Sequence, residues 1–219
     1  MVDIRLTFSK KGRAKYISHL DLNKTMQRAF KRAKIPLWYT EGFNPHAYIM
    51  FPLALSLGVD SDCEILDFKL DSEMDFEIIK NSLNNALPEG LKINKVAYQI
   101  KNHTEIMFSE YRLTLSSEIS PDVLKEKFDD FLALEKIEIE KRSKKKGIVI
   151  ADIKPMINVI STTVNDKSLS VDVILPSGTN MTLNPIVVFE TFSTKMNIEA
   201  LSAEIERKRI LCEDSEDFA

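Results

Sequence analysis

Residues 2–8 alternate apolar and polar side chains, Val-Asp-Ile-Arg-Leu-Thr-Phe, and the segment behind them switches to a repeat of three and four. That switch constrains the fold more than any other feature. A period of two gives a strand with one buried face, and Leu22, Met26, Ala29, Phe30 and Ala33 give a helix with one apolar stripe. Ser9-Lys10-Lys11-Gly12 reads as the turn between them, and Ser18 with Asp21 three residues later marks the helix start. The spacing predicts a helix over 19–33 that stops before Pro36. The next stretch, 38–46, is aromatic and turn-rich, and 47–51 is extended. A strand over 63–70, a helix over 74–87 stopped by Gly90, and a strand over 91–100 complete the order of a ferredoxin-like unit.

The second half reads in the same way. Residues 111–115 alternate as a strand, and Ser120-Pro121 supplies an N-cap and first position for a helix through 132. Residues 136–140 are strand-like, 141–147 form a basic loop, and the runs 156–164 and 169–175 make a hairpin across 165–168. Pro185 opens a short helix, 198–211 is helical or extended, and the acidic segment 213–219 is expected to fray. The predicted fold is α+β, two ferredoxin-like (βαββαβ) units in tandem. The first, 1–104, carries a basic helix and the loop Gly42-Phe43-Asn44-Pro45-His46; the second, 105–219, carries the acidic tail.

Composition narrows the chemistry. An apolar share of 44% and a charged share of 29% are ordinary for a globular chain, and no stretch has the length of a membrane span or a signal-peptide core, so a cytoplasmic protein with no membrane partner is expected. Two cysteines, Cys63 and Cys212, exclude a four-cysteine zinc site, an iron–sulfur cluster and a disulfide framework. Phosphate-binding, dinucleotide-binding, nucleophile-elbow and metalloprotease motifs are absent, and neither a metal nor a cofactor is expected. The net charge of −3 conceals an asymmetry: residues 1–50 hold 10 Lys and Arg against 3 Asp and Glu, a local +7 that leaves −10 on the remainder. Such a segment suits a polyanion or, equally, a solvated helix face.

Cations interleaved with aromatics are the pattern of single-stranded RNA binders, which neutralise phosphates and stack bases. Lys10, Lys11, Arg13, Lys15, Lys24, Arg28, Lys31 and Arg32, with Tyr39, Phe43, Asn44 and His46, are the candidate RNA contacts. The run 141–146 adds cations in a second place. His46 and His19 are the candidate acid–base groups, because imidazole titrates near neutrality. The plain alternatives are a loop histidine bonded to backbone and a helix-start histidine satisfied by a neighbouring strand. In a ferredoxin-like unit the two histidines belong to opposite ends of the first helix, so a shared pocket requires the loop to fold back.

The combination of Phe8-Ser9-Lys10 with Gly12, Tyr16-Ile17-Ser18-His19-Leu20-Asp21-Leu22, Arg28-Ala29-Phe30-Lys31-Arg32-Ala33, Pro36-Leu37, Glu41-Gly42-Phe43-Asn44-Pro45-His46 and Pro52-Leu53 with Leu55 and Leu57-Gly58-Val59 resembles the bacterial family called radical SAM-linked protein, a domain of unknown function. Asp152-Ile153-Lys154-Pro155 and Asn184-Pro185 resemble weaker marks of the same family. The resemblance implies a radical SAM enzyme, fused or encoded nearby, as partner. Lacking a Cys-x3-Cys-x2-Cys run, the chain resembles the free-standing partner form. The expected role is to present transfer or ribosomal RNA to that enzyme without catalysis. Two alternatives stay open: a metal-independent RNA endonuclease using a histidine, and a protein scaffold without RNA contact.

Overall fold

The computed structural model describes residues 2–143, 147–179 and 181–219, with the backbone alone at Arg142 and Ser143. Residues 144–146 of the basic run lie outside the described residues. The fold is α+β, with four α-helices among the described residues and antiparallel strand pairing. Two compact units divide the chain: Met1–Ile106 together with Asp217–Ala219, and Met107–Glu216.

The first unit runs β1 (Val2–Lys10), α1 (His19–Arg32), β2 (Ile49–Met50), β3 (Asp60–Leu70), α2 (Phe76–Ala86) and β4 (Leu91–Tyr98). Its strands stand in the order β4-β1-β3, with the short β2 on the side of β3 away from β1. Alternation sends Ile4, Leu6 and Phe8 into a core with Leu66 and Phe68 of β3, Met26 and Phe30 of α1, and Ile79 and Leu83 of α2. The intervening positions face away from the helices, where Arg5 stands opposite both Asp67 and Ala97. One close approach fixes the turn before β4. Lys11 N–H donates to Gly90 O at 2.9 Å, and a Cβ at Gly90 (φ +86) would lie 2.5 Å from Lys11 O, so only glycine fits.

The second unit runs β5 (Phe108–Ser116), α3 (Pro121–Ala133), β6 (Glu138–Ser143), β7 (Gly147–Asp152), β8 (Asn158–Val164), β9 (Leu169–Pro176), α4 (Pro185–Lys195) and β10 (Ser202–Leu211). The sheet order is β10-β5-β9-β8, and β6 and β7 form a hairpin of their own. Here the structure departs from the sequence expectation of a basic loop over 141–147. Lys141 pairs with Val149 and Arg142 with Ile148, so these residues belong to the ladder. Segment 198–211 resolves in favour of a strand, because Ile205 and Arg207 are buried two apart as β10 pairs with β5.

An edge strand of the first unit, β4, and one of the second, β8, are unlike. β4 carries Lys92 and Lys95, whereas β8, Asn-Val-Ile-Ser-Thr-Thr-Val, carries no charge, and among the described residues no strand pairs with its outer side. The acidic segment does not fray throughout: Phe218 is 2% exposed, because its ring finds a cation to lie on.

Candidate nucleic-acid interface

Helix α1 begins where Ser18 Oγ accepts from Asp21 N–H at 3.2 Å, the capping arrangement the sequence predicts. With Leu22, Met26, Ala29 and Phe30 buried, Leu20, Lys24, Arg28, Lys31 and Arg32 fall on the exposed side. At 1.5 Å per residue the row from Leu20 to Lys31 spans about 16 Å. Lys24 lies 4.0 Å from Asp21, an exposed pair of little strength. Among the described residues Arg13, Arg28 and Lys31 have no ion-pair partner. Arg32 is committed elsewhere: its Nη2 donates to Ala86 O at 2.5 Å, a cation on the last carbonyls of α2.

The cations of the first turn are placed differently from their sequence expectation. Lys10 is 1% exposed and its Nζ donates to Lys15 O at 3.0 Å. Burial holds its pKa below the ordinary lysine value, against the upward pull of Glu64 and Asp60. Lys15 pairs with Asp60 at 3.0 Å, and Lys11 pairs with Asp62. These three lysines brace the β1 turn against β3. The exposed candidates therefore reduce to Arg13, Lys24, Arg28 and Lys31, with Arg32 half committed.

The loop after α1 is a small hairpin in its own right. Trp38 N–H donates to Lys69 O at 2.9 Å, Tyr48 N–H to Trp38 O at 3.0 Å, and Thr40 N–H to His46 O at 2.9 Å. Lys69, a residue the sequence did not mark, pins its base: Nζ lies 5.7 Å from the Trp38 ring centroid and 5.0 Å from that of Tyr48. The tip is locked from within. His46 N–H donates to Thr40 Oγ1 at 3.2 Å, and His46 Nδ1 lies 3.1 Å from Thr40 Oγ1 and 3.2 Å from Asn44 O. Protonated, Nδ1 donates to Asn44 O; unprotonated, it accepts from the Thr40 hydroxyl. Either way Nε2 is the ring nitrogen without a hydrogen-bond partner among the described residues. Tyr39 is 57% exposed, and Phe43 is fully exposed at the tip.

His19 is held elsewhere, edge-on to Phe51 with centroids 5.2 Å apart. The two histidines thus have different partners, and neither is hydrogen-bonded to a second titratable group among the described residues. No group of three or more His, Cys, Asp or Glu side chains gathers to hold a metal among the described residues. Among the described residues no helix is long and apolar enough to cross a membrane. A cleft of about 640 Å³ in the second unit, between the β6–β7 hairpin and α4, is lined by none of the candidate RNA contacts of the first unit and by neither histidine, though Lys141 of the basic run, Ile153 and Asn184 stand in its lining.

A family model matches residues 3–185, which take in β1, α1 and the whole loop. The chain belongs to DUF2344, a family described as an uncharacterized protein conserved in bacteria. Both the exposed row of α1 and the Phe43 tip lie within the DUF2344 stretch, and residues 217–219 lie outside it. None of the curated proteins matches the chain. A crystal structure of an unknown protein from Galdieria sulphuraria aligns over 94% of this chain and 98% of that one at 11% identity, with a TM-score of 0.29, which carries no argument.

Proposed function

We propose that this DUF2344 chain is a non-catalytic RNA-binding partner that holds transfer or ribosomal RNA for a radical SAM modifying enzyme acting in trans. The observation that carries the reading is the row Lys24, Arg28 and Lys31 on the exposed side of α1, followed in the chain by a pinned loop that projects Phe43 into solvent. Such a row neutralises phosphates, and an exposed ring offers a stacking face for any base. The enzyme partner rests on the sequence resemblance, and Cys63 and Cys212 do not make the three-cysteine run that the radical SAM cluster needs, which fits a reading in which these residues serve that chemistry as a partner. Reading both units as ferredoxin-like is supported by their parallel orders, β4-β1-β3-β2 and β10-β5-β9-β8, with the β6–β7 hairpin inserted after the first helix of the second.

Fluorescence anisotropy with a labelled single-stranded RNA tests this reading. Lys24→Glu, Arg28→Glu and Lys31→Glu together should weaken binding about 10- to 100-fold and lower the salt slope by about 2, at roughly 0.7 per phosphate contact. Unchanged binding overturns it. Cleavage to 2′,3′-cyclic phosphate ends that disappears in His46→Ala assigns an endonuclease instead, and recovery with a radical SAM protein but without RNA assigns a scaffold.

A further inference from the structure

The face of the first unit's sheet turned away from α1 and α2 bears a second aromatic-binding feature. Arg5 Nε and Nη2 donate to Asp67 Oδ1 and Oδ2 at 2.7 and 2.8 Å, and Nη2 also donates to Lys101 O at 3.0 Å. Three hydrogen bonds along its edge fix the guanidinium as a flat, oriented plate and leave its faces for stacking. The Phe218 ring lies on one face, 4.2 Å from the guanidinium carbon to the ring centroid. Asp217 is held beside it, its carbonyl accepting from Lys101 Nζ at 2.7 Å. Beside them opens a recess of about 220 Å³ whose lining includes Arg5 and Phe218 together with Thr7, Lys95, Ala97 and Ile100.

We propose that this recess, together with the Arg5 face that Phe218 covers, is a binding site for an unstacked nucleobase and its adjoining phosphate, and that residues 217–219 hold the Arg5 face as a built-in competitor. The segment that covers the Arg5 face states the chemistry this site accepts. A ring lies on an arginine plane, as an RNA base does, and its neighbouring oxygen meets an ammonium. Lys95 is exposed at the rim and supplies a further cation for phosphate. Glu213, Asp214, Glu216 and Asp217 precede Phe218, so the segment presents negative charge followed by a ring, the order of features in a nucleotide chain. The lining is largely apolar, with Ala97, Tyr98 and Ile100 beside the Arg5 plate, which suits the faces of a base, while Thr7 and Lys95 add polar groups. The inference rests on the RNA-binding reading and extends it: the α1 row attracts the strand, and release of residues 217–219 opens a second contact for one base.

The test compares the full chain, Phe218→Ala and a chain ended at Cys212, each checked for folding by thermal melting, in anisotropy titrations with a fluorescein-labelled RNA of about 12 nucleotides. A segment docked about 90% of the time lowers apparent affinity about tenfold, so both variants should bind about tenfold tighter than the full chain. Adding Lys95→Glu to either should cancel the gain, and photocrosslinks should appear on β1 and β4. If the full chain binds RNA and the folded variants bind it equally or more weakly, the recess proposal is overturned while the α1 reading stands. Tight binding by the shortened chain that ignores the α1 charge reversals supports the recess and overturns the α1 reading. Binding by none of the proteins overturns both.

Discussion

Arg5 of β1 grips Asp67 of β3, and Arg112 of β5 grips Asp172 of β9, each through Nε on one carboxylate oxygen and Nη2 on the other. The two pairs hold corresponding places, first strand to penultimate sheet strand on the side away from the helices. Their surroundings differ. The first pair is 6% and 1% exposed, with Phe218 over the arginine; the second is 47% and 16% exposed, with Ser161 Oγ donating to Asp172 at 2.9 Å. One piece of geometry is therefore a covered platform in one unit and a surface clamp in the other, and the cover decides which.

The largest test of that contrast is Asp67→Ala. It leaves a guanidinium buried without its partner, a loss of about 3–5 kcal/mol in urea unfolding. A loss below about 1 kcal/mol would break the comparison, since it would make the covered pair behave as an exposed one. Next, Phe218→Ala should cost about 1–2 kcal/mol through the lost cation–π contact and should shrink the Asp67→Ala loss measured on top of it. Additive losses would mean that the ring does not govern the pair. The exposed counterpart is smaller: Asp172→Ala should cost about 0–1 kcal/mol.

Acid sharpens the same contrast. The hydrogen bonds from Arg112, then that from Ser161, hold the Asp172 carboxyl below the usual carboxylate value despite partial burial. The unfolded chain takes up that proton first, so the stabilisation is present above the unfolded value, about 4, and is lost as pH falls through the lower folded one. Urea midpoints followed downward from about pH 5 should fall less steeply in Asp172→Asn than in the natural chain. Equal slopes would remove Asp172 from the acid response.

Legibility tracked how much a segment's own pattern decided its structure. β1, the Ser18 cap and the α1 stripe follow local periodicity, and tertiary packing agrees with it. The burial of Lys10 was also encoded: it continues the alternation of Ile4, Leu6 and Phe8, yet its charge argued for solvent. The β6–β7 hairpin was half legible: 136–140 reads as strand-like, but Lys141 and Arg142 read as a basic loop, and only pairing with Val149 and Ile148 of an apolar strand makes them a ladder. Within the candidate site, the cations of α1 were visible as one helix face. Lys69 and Phe218 were not, since each acts on partners at least 20 residues away, on Trp38, Tyr48 and Arg5, and no spacing rule connects such distances. Their one sequence signal is residue type, a cation or an aromatic outside any motif.

The uncharged edge of β8 has a practical consequence. Seven residues, five of them β-branched and none a lysine or proline, present a ready ladder to any extended chain, including another copy, while Lys92 and Lys95 guard β4. Thr163→Lys, at a position already exposed, should therefore reduce concentration-dependent self-association, read by light scattering.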